Sequence, residues 1–306
     1  MTTIASYAVV EAFNLIKSAN LIAAMSLTAL RGSISPFDRR IHEVRNQHGQ
    51  QKVAEEIRLL FDDDDEVLHS HKDCDRVQDP YSFRCIPAVH GASWDTFEHS
   101  EKIVHRELNA VTDNPLVFEN GDVLSGGNFH GQPVSVAMDF LSIAASEIGS
   151  IAERRIDKLM NPHLSGGQPP FLAHEGGVQS GFMIPHVVAA SLASENKVLS
   201  HPASTDSIPT SADQEDHVSM GPHAARTARQ IIRNVEYILA IELLVACQGL
   251  DFLKPLKPSK RLKKIHDYVR GHIPESNQDR STHPEIEWAA KVIKNGDLIR
   301  EMENCV

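Results

Sequence analysis

Residues 132–160 read QPVSVAMDFLSIAASEIGSIAERRIDKLM, and this segment sets the architecture of the chain. Its large apolar residues recur mostly at three- to five-residue steps, as one face of a helix requires. Asn161-Pro162 ends the pattern, because a residue that precedes proline disfavours the helical region. A helix of this length spans about 40 Å. Its predicted apolar stripe consists of Val136, Phe140, Ile143, Ile148, Ile151 and Ile156.

Three further segments carry the same helical pattern, and they are rich in alanine and aliphatic residues. They are Met1–Leu30, Gly181–Leu199 and Pro222–Gln248. Together they predict an all-α protein, an extended bundle of long helices. Helices this long and apolar have more surface than one chain covers, so we expect a homo-oligomer that packs through the central helices.

Two prolines, Pro255 and Pro258, separate the last part of the chain from the bundle. We therefore expect a central helical bundle over 1–255 and an appended helical region over 256–306. Lys257–Lys264 is basic and is expected to be a solvated face.

Shorter segments between the long ones also have helical periodicity. Gln51–Phe61 and Trp94–Val111 are predicted helices. The acidic run Asp62–Glu66 lacks the alternating spacing and glycine of a calcium loop, and a solvated loop is the favoured interpretation.

Composition limits the classes of function. The 306 residues carry a net charge of −11, which disfavours nonspecific binding to nucleic acid and suits a protein that handles small molecules. The four cysteines show no CxxC spacing and no leader is evident, so we expect reduced thiols in a cytoplasmic protein. No apolar run of roughly 20 residues occurs, and no membrane partner is expected.

Ser204–Gly221, STDSIPTSADQEDHVSMG, is a polar segment between two long apolar ones. It holds Glu215 at its centre. A carboxylate in such a setting needs a partner or a substrate, since burying an unpaired charge is costly. The segment is therefore a candidate site, and the alternative is an exposed connection that ends in a helix cap.

A second polar stretch, His69–His90, is dense in hydrogen-bonding groups. Gln78, Tyr81 and Arg84 are spaced by three, so one turn of helix would place them on one face. Arg84 suits a carboxylate clamp because a guanidinium can bind both oxygens at once. An internal salt bridge of Arg84 is the alternative. The histidine and cysteine spacing matches no common zinc pattern, and no metal is expected.

Leu116–Leu124 contains Asn120-Gly121 between short apolar pairs, which predicts a β-hairpin. The loop that follows, Ser125–Gly131 (SGGNFHG), permits positive φ and close backbone approach around Phe129. Its glycine spacing fits no nucleotide-binding fingerprint, and a plain turn is the alternative.

Four motifs in order resemble the aromatic amino acid ammonia-lyases, and among them the histidine-directed members match best. The motifs are RVQDPYSFRC (76–85), NAVTDNPL (109–116), SGGNFHG (125–131) and SADQEDH (211–217). The resemblance runs from about Met1 to Pro255. It implies a helical subunit of a homotetramer whose active sites combine loops of several chains.

The resemblance also implies roles for the residues singled out above. Arg84 would bind the substrate carboxylate, and Gln78 would line the site. Tyr81 and Glu215 would be the catalytic residues, with Tyr81 beside the electrophile and Glu215 at the amine or imidazole of the substrate. Phe129 would contact the substrate ring. One departure is Asp213, where the family often has asparagine.

These enzymes use a methylidene-imidazolone electrophile made from an internal Ala-Ser-Gly, and no Ala-Ser-Gly occurs in the 306 residues. The chain therefore resembles the C-terminal portion of a lyase. The leading hypothesis is the C-terminal half of a split histidine-directed lyase that forms urocanate and ammonia, completed by an N-terminal chain that bears Ala-Ser-Gly and inactive alone. The alternatives are an inactive paralogue that acts as a scaffold or regulator, a truncated fragment, or a lyase or aminomutase for another aromatic amino acid.

Overall fold

The computed structural model describes residues 1–304, so Cys305 lies outside the described part. Within it the chain forms twelve α-helices and one two-stranded sheet, which confirms the predicted all-α class. The helices are α1 (Thr2–Ala29), α2 (Arg39–Arg45), α3 (His48–Arg58), α4 (Glu66–His69), α5 (Tyr81–Arg84), α6 (Ile86–Leu108), α7 (Gln132–Met160), α8 (Met183–Leu199), α9 (Gly221–Asp251), α10 (Lys260–Arg270), α11 (His283–Asn295) and α12 (Asp297–Glu303).

Helix α9 lies at the centre of the bundle and packs along both α7 and α1. Its alanines and aliphatic residues at the predicted positions are fully buried, and these include Ala225, Ala228 and Ile232. Small side chains allow two helix backbones to approach closely, and the alanines of α9 lie at these contacts between helices. The three longest predicted helices therefore form the core of one bundle.

The apolar stripe predicted for α7 is only partly right. Ile148 and Ile156 are buried, whereas Phe140 is 47% exposed and Ile143 is 43% exposed. In the first half of α7 the packed face is instead formed by smaller residues such as Val134, Ala137 and Leu141. The prediction is wrong for Phe140 and Ile143 because this part of α7 has two apolar faces, and the size and hydrophobicity of the side chains do not show which face meets α9.

A polar network lies inside this apolar core. Arg155 on α7 and Glu242 on α9 form a doubly hydrogen-bonded ion pair, and Ser26 on α1 donates to the same carboxylate at 2.7 Å. His90 on α6 lies between Arg155 and Asn20, and its Nδ1 is 2.7 Å from the Asn20 side-chain oxygen. The network therefore links four helices of the bundle.

Helices α3 and α6 cross at two glycines. A Cβ atom added to Gly49 would lie 2.1 Å from the carbonyl oxygen of Gly91, and one added to Gly91 would lie 2.4 Å from the backbone nitrogen of Gln50. Neither position has room for a side chain. Helix α3 begins at His48, three residues before the predicted start.

The predicted hairpin is confirmed. Strands β1 (Leu116–Val117) and β2 (Val123–Leu124) pair antiparallel, with Leu116 opposite Leu124. Gly121 has φ +88°, the conformation that favours glycine in a tight turn.

The acidic run 62–66 is not simply a solvated loop. Asp65 is fully buried, and its carboxylate accepts hydrogen bonds from the backbone nitrogens of Leu68 and Ser259 at 2.8 and 3.0 Å. Burial raises the pKa of Asp65. Asp64 pairs with Lys260 at 2.6 Å. The basic start of α10 is therefore held against this acidic run, which sequence patterns did not indicate.

Two helices, Thr2–Ala29 and Gln132–Met160, are long and apolar enough to cross a membrane by length and composition alone. Of their most apolar 18-residue windows, 72% and 61% are buried inside the fold. Both are core helices of the bundle, and a buried core helix satisfies the same criteria as a membrane-spanning one.

Candidate active site

Glu215 lies at the end of a tight loop in the polar segment 204–221. Thr210 and Glu215 exchange backbone hydrogen bonds, and the carboxylate of Glu215 accepts a further bond from the Thr210 hydroxyl at 2.8 Å. Ser211, Ala212 and Asp213 between them all have positive φ. Non-glycine residues seldom adopt this conformation in succession, and such strain is concentrated at functional sites. The Glu215 side chain is exposed.

A buried carboxylate anchors the start of this segment. Asp139 on α7 is 5% exposed, and its Oδ2 accepts a hydrogen bond from the backbone nitrogen of Ser204 at 2.7 Å. Asp139 was not singled out from the sequence. An acid within the apolar first half of α7 is the signal that could have identified it.

The loop that carries Phe129 packs directly against the Glu215 segment. The His130 and His217 rings are stacked, with centroids 5.7 Å apart and planes 4° from parallel. The Nε2 atom of His130 also lies 3.0 Å from the carbonyl oxygen of His217, to which it donates. Phe129, next to His130, is 57% exposed. The structure thus brings Phe129 and Glu215 into one cluster of two loops.

The prediction that Gln78, Tyr81 and Arg84 share one helical face is wrong for Gln78. Helix α5 begins only at Tyr81, because Pro80 adopts an extended conformation with φ −57° and ψ 154°. Gln78 lies in the extended segment before it and is exposed. Tyr81 and Arg84, at the two ends of α5, do lie together.

Arg84 is placed to receive an anion. Its guanidinium carbon lies over the Tyr81 ring, 4.5 Å from the centroid, in a cation–π contact. Its Nε is buried and has no hydrogen-bond partner, and Arg84 forms no ion pair within residues 1–304. A buried N–H that lacks an acceptor is costly, so this position favours an acceptor from a ligand or another segment.

The salt bridge considered for Arg84 is formed by Arg76 instead. Arg76 contacts the buried Asp79 at 3.1 Å, and Asp79 also accepts a bond from the backbone nitrogen of Ser33 at 2.7 Å. These contacts border an open groove of about 1120 Å³ whose lining includes Gln78 and Arg84. Arg76 and Asp79 therefore hold the wall of the groove.

Within residues 1–304 no hydrogen bond or ion pair connects the pair Tyr81–Arg84 with the cluster of Phe129 and Glu215. The structure of one chain therefore presents two partial sets of polar and aromatic groups. In the same part of the chain no group of three or more His, Cys, Asp or Glu residues is arranged to hold a metal ion.

The chain resembles known proteins over almost its whole length. It is 48% identical to the histidine ammonia-lyase of Natranaerobius thermophilus over 96% of this chain and 58% of that protein. It is 52% identical to the histidine ammonia-lyase of Burkholderia ambifaria over 92% of this chain and 55% of that protein. The chain thus spans less than two thirds of the length of these relatives.

Solved structures agree with the sequence matches. The crystal structure of histidine ammonia-lyase from Trypanosoma cruzi superposes with a TM-score of 0.91 at 45% identity, over 99% of this chain and 57% of that one. A tyrosine aminomutase from Streptomyces globisporus superposes with a TM-score of 0.93 at 36% identity, over 99% and 61%. The family model described as aromatic amino acid lyase matches residues 1–271. The chain belongs to the aromatic amino acid lyase family.

Proposed function

We propose that this chain forms the substrate-orienting part of a histidine ammonia-lyase, which converts L-histidine into urocanate and ammonia. The observation that carries the proposal is Arg84, whose guanidinium is held over Tyr81 while its buried Nε has no partner. A planar guanidinium can bind a carboxylate with two parallel hydrogen bonds. An amino acid substrate supplies such a carboxylate.

Glu215 supports histidine as the substrate. Its carboxylate is exposed and bonded only to Thr210 among the described residues, so it can accept a hydrogen bond from an imidazole N–H or an ammonium group. A carboxylate suits an imidazole better than a phenyl ring. Phe129, held near it by the contact between His130 and His217, provides an exposed aromatic face for the substrate ring.

The exposed side chains of Tyr81 and Gln78 and the unpaired Nε of Arg84 are compatible with a site that holds the family's methylidene-imidazolone. It would supply the electrophile that turns the amine into a better leaving group. The exposed Tyr81 and Gln78 would line the site beside it, and Arg84 would hold the substrate carboxylate. Glu215 would orient the nitrogen-bearing end of the substrate. The Ala-Ser-Gly that forms the electrophile is not among the 306 residues, so the proposed reaction requires a segment that brings it.

In the split-enzyme form of the proposal, that segment is a separate N-terminal lyase chain and this chain is inactive alone. The test is co-expression with an N-terminal lyase segment that bears Ala-Ser-Gly, followed by purification and an assay of urocanate release. Tyrosine and phenylalanine are assayed in parallel, since an aminomutase or a lyase for another ring would act on them. If no complex forms, or the complex releases no urocanate from histidine, the proposal fails.

An inactive scaffold is the second candidate, and site variants separate the two. Arg84→Ala and Glu215→Gln should abolish most urocanate release from the complex, whereas a scaffold would tolerate both without change in assembly. Arg45→Gln is the matched control, since Arg45 is exposed on α2 and makes no ion pair within the described residues.

We further propose a cytoplasmic homotetramer that packs through the central helices. Exposed apolar side chains on α7 and α8 support the assembly, among them Phe140, Ile143, Ile184 and Val187. The cysteines support a reducing location, since Cys74, Cys85 and Cys247 are free thiols. Sedimentation of the complex would measure its mass, and a clean monomer of this chain without a bound partner contradicts the assembly.

A further inference from the structure

A second polar cavity lies on the side of the bundle where α1, α9 and α11 meet. Its volume is about 290 Å³. Three arginines of α9, Arg226, Arg229 and Arg233, are spaced by three and four and therefore share one helical face. Lys294 from α11 and Glu11 from α1 complete the ring of charges. The cavity is thus lined by four cationic side chains.

Only part of this positive charge is neutralised within the described residues. Arg229 binds both oxygens of Glu11, at 3.0 and 3.1 Å, and Lys294 lies 3.5 Å from the same carboxylate. Arg226 and Arg233 have no carboxylate within 4.0 Å in residues 1–304. Two guanidinium groups are therefore free to donate hydrogen bonds into the cavity.

The remaining acid of the cavity, Glu236, is 4% exposed and has no hydrogen-bond partner in the described part of the chain. Burial raises the pKa of Glu236 to about 7, and Glu11 on α1 adds to the rise. Lys294 on α11 and Arg229 and Arg233 on α9 act in the opposite direction. Near neutral pH a large share of Glu236 is consequently protonated and can donate an O–H.

We propose that this cavity binds a small oxyanion, which accepts hydrogen bonds from Arg226 and Arg233 and from the protonated carboxyl of Glu236. A buried carboxyl without an acceptor gains one when an oxyanion binds, and the oxyanion gains two charge-assisted bonds from arginines. The site shares no residue with the clusters of Arg84 or Glu215, so the proposal goes beyond the proposed lyase reaction. Binding is coupled to proton uptake, since an ionised Glu236 repels the ligand.

The test uses sulfate as the probe, because sulfate stays a dianion over the relevant pH range. Titration calorimetry on the 306-residue chain, at constant ionic strength set with chloride, measures affinity at pH 6.5 and pH 8. We expect the affinity for sulfate to be about eightfold lower at pH 8 than at pH 6.5, because the protonated fraction of Glu236 falls by about that factor between these pH values. Glu236→Gln keeps a neutral donor and should bind equally at both pH values. Arg233→Gln should weaken binding at both, whereas Arg45→Gln should leave it unchanged.

Three results would overturn the proposal. The first is no sulfate binding by the wild-type chain at pH 6.5 while circular dichroism shows it folded. The second is a pH dependence that persists in Glu236→Gln, which would assign the proton to another group such as a histidine. The third is equal loss in Arg233→Gln and Arg45→Gln, which would reduce the effect to the overall charge of the protein.

Discussion

Arg155 and Glu242 face each other across the α7–α9 contact, and both side chains are completely inaccessible to solvent. Arg155 Nε lies 2.5 Å from one carboxylate oxygen of Glu242, and Nη2 lies 2.9 Å from the other. The pair therefore places two charges inside the bundle core. Attraction at such short range offsets the loss of hydration only while both partners are present.

Glu242→Gln should destabilise the chain by about 3–5 kcal/mol, because it leaves the Arg155 cation buried without a counter-charge. Urea unfolding followed by circular dichroism measures the change. Glu43→Gln is the control, since Glu43 pairs with Arg39 at the surface, and its stability should match that of the wild type. A loss for Glu242→Gln no larger than for the control would contradict this account of the core.

The buried, neutral ring of His90 leads us to expect that the protein loses stability in weak acid. Full burial and the neighbouring Arg155 hold the pKa of His90 well below its usual range, so the native state keeps the ring neutral. The unfolded chain binds a proton below pH about 6.5, and stability therefore falls as pH decreases from there. His90→Asn should lose less stability than the wild type between pH 7 and pH 5 in urea unfolding. The exposed His48, replaced by Asn, should leave the wild-type slope intact.

The raised pKa of Glu236 leads us to expect the opposite effect of pH on stability, a loss as pH rises. Because its pKa is raised from 4.5 to about 7 in the fold, the native state binds a proton more tightly than the unfolded state. The stabilisation is present at low pH and is lost as pH rises through 7. Glu236→Gln should therefore gain stability over the wild type as pH rises, reaching about 3 kcal/mol at pH 8. Denaturant midpoints at pH 5 and pH 8 measure the difference, and a gap between the two proteins that is the same at both pH values would refute it.

Asp65→Ala should loosen the segment that leads into α10 from the bundle. The substitution removes the acceptor of the Leu68 and Ser259 backbone N–H groups, and each such cap contributes about 1 kcal/mol. Limited trypsin digestion should then cut the lysine-rich segment 257–264 faster than in the wild type. Asp63→Ala is the control, because Asp63 is exposed and makes no side-chain contact in the described residues. Identical digestion of the two variants would argue against this role of Asp65.

Arg84→Lys tests the proposed carboxylate clamp in the completed enzyme. Lysine keeps the charge but loses both the planar fork and the stacking on Tyr81. The KM for histidine should rise by about ten- to a hundredfold, the equivalent of one hydrogen bond to a charged group. Arg76→Lys should leave KM nearly unchanged, since Arg76 binds Asp79 in the groove wall. If Arg76→Lys raises the KM more than Arg84→Lys does, the assignment of the carboxylate clamp to Arg84 is wrong.

Hydrophobic periodicity placed helices α1, α7, α8 and α9 close to their observed bounds. The prediction for α6 was wrong at its start, because α6 begins at Ile86 and not at the predicted Trp94. Helix α7 has the predicted bounds, with Gly131 before it and Asn161-Pro162 after it. Helix α2 was missed because it buries only His42 and so has no apolar stripe. The last helix, α12, was missed as well. The first turn of α3 has no apolar periodicity to mark it, and it contains Gly49, whose contact with Gly91 joins residues far apart in sequence.

The sequence predicts the candidate site as a list of residues whose roles stay predictions, and it does not predict how those residues are arranged. Polar density marked the segments of Arg84 and Glu215, and the resemblance assigned their roles. The pairing of His130 with His217 joins segments 87 residues apart, and no local pattern reports it. Asp139 was overlooked because its partner is a backbone nitrogen, which has no signature in the sequence.

The contact between His130 and His217 also bears on how this protein could be redesigned. A change at Phe129 that shifts its loop will move His217, and with it the backbone next to Glu215. Under the proposed function, substitutions made at one of these positions to admit a different ring will also alter the other position, and their effects on substrate choice will not add. Selecting both loops together from one library is the appropriate route to a new specificity.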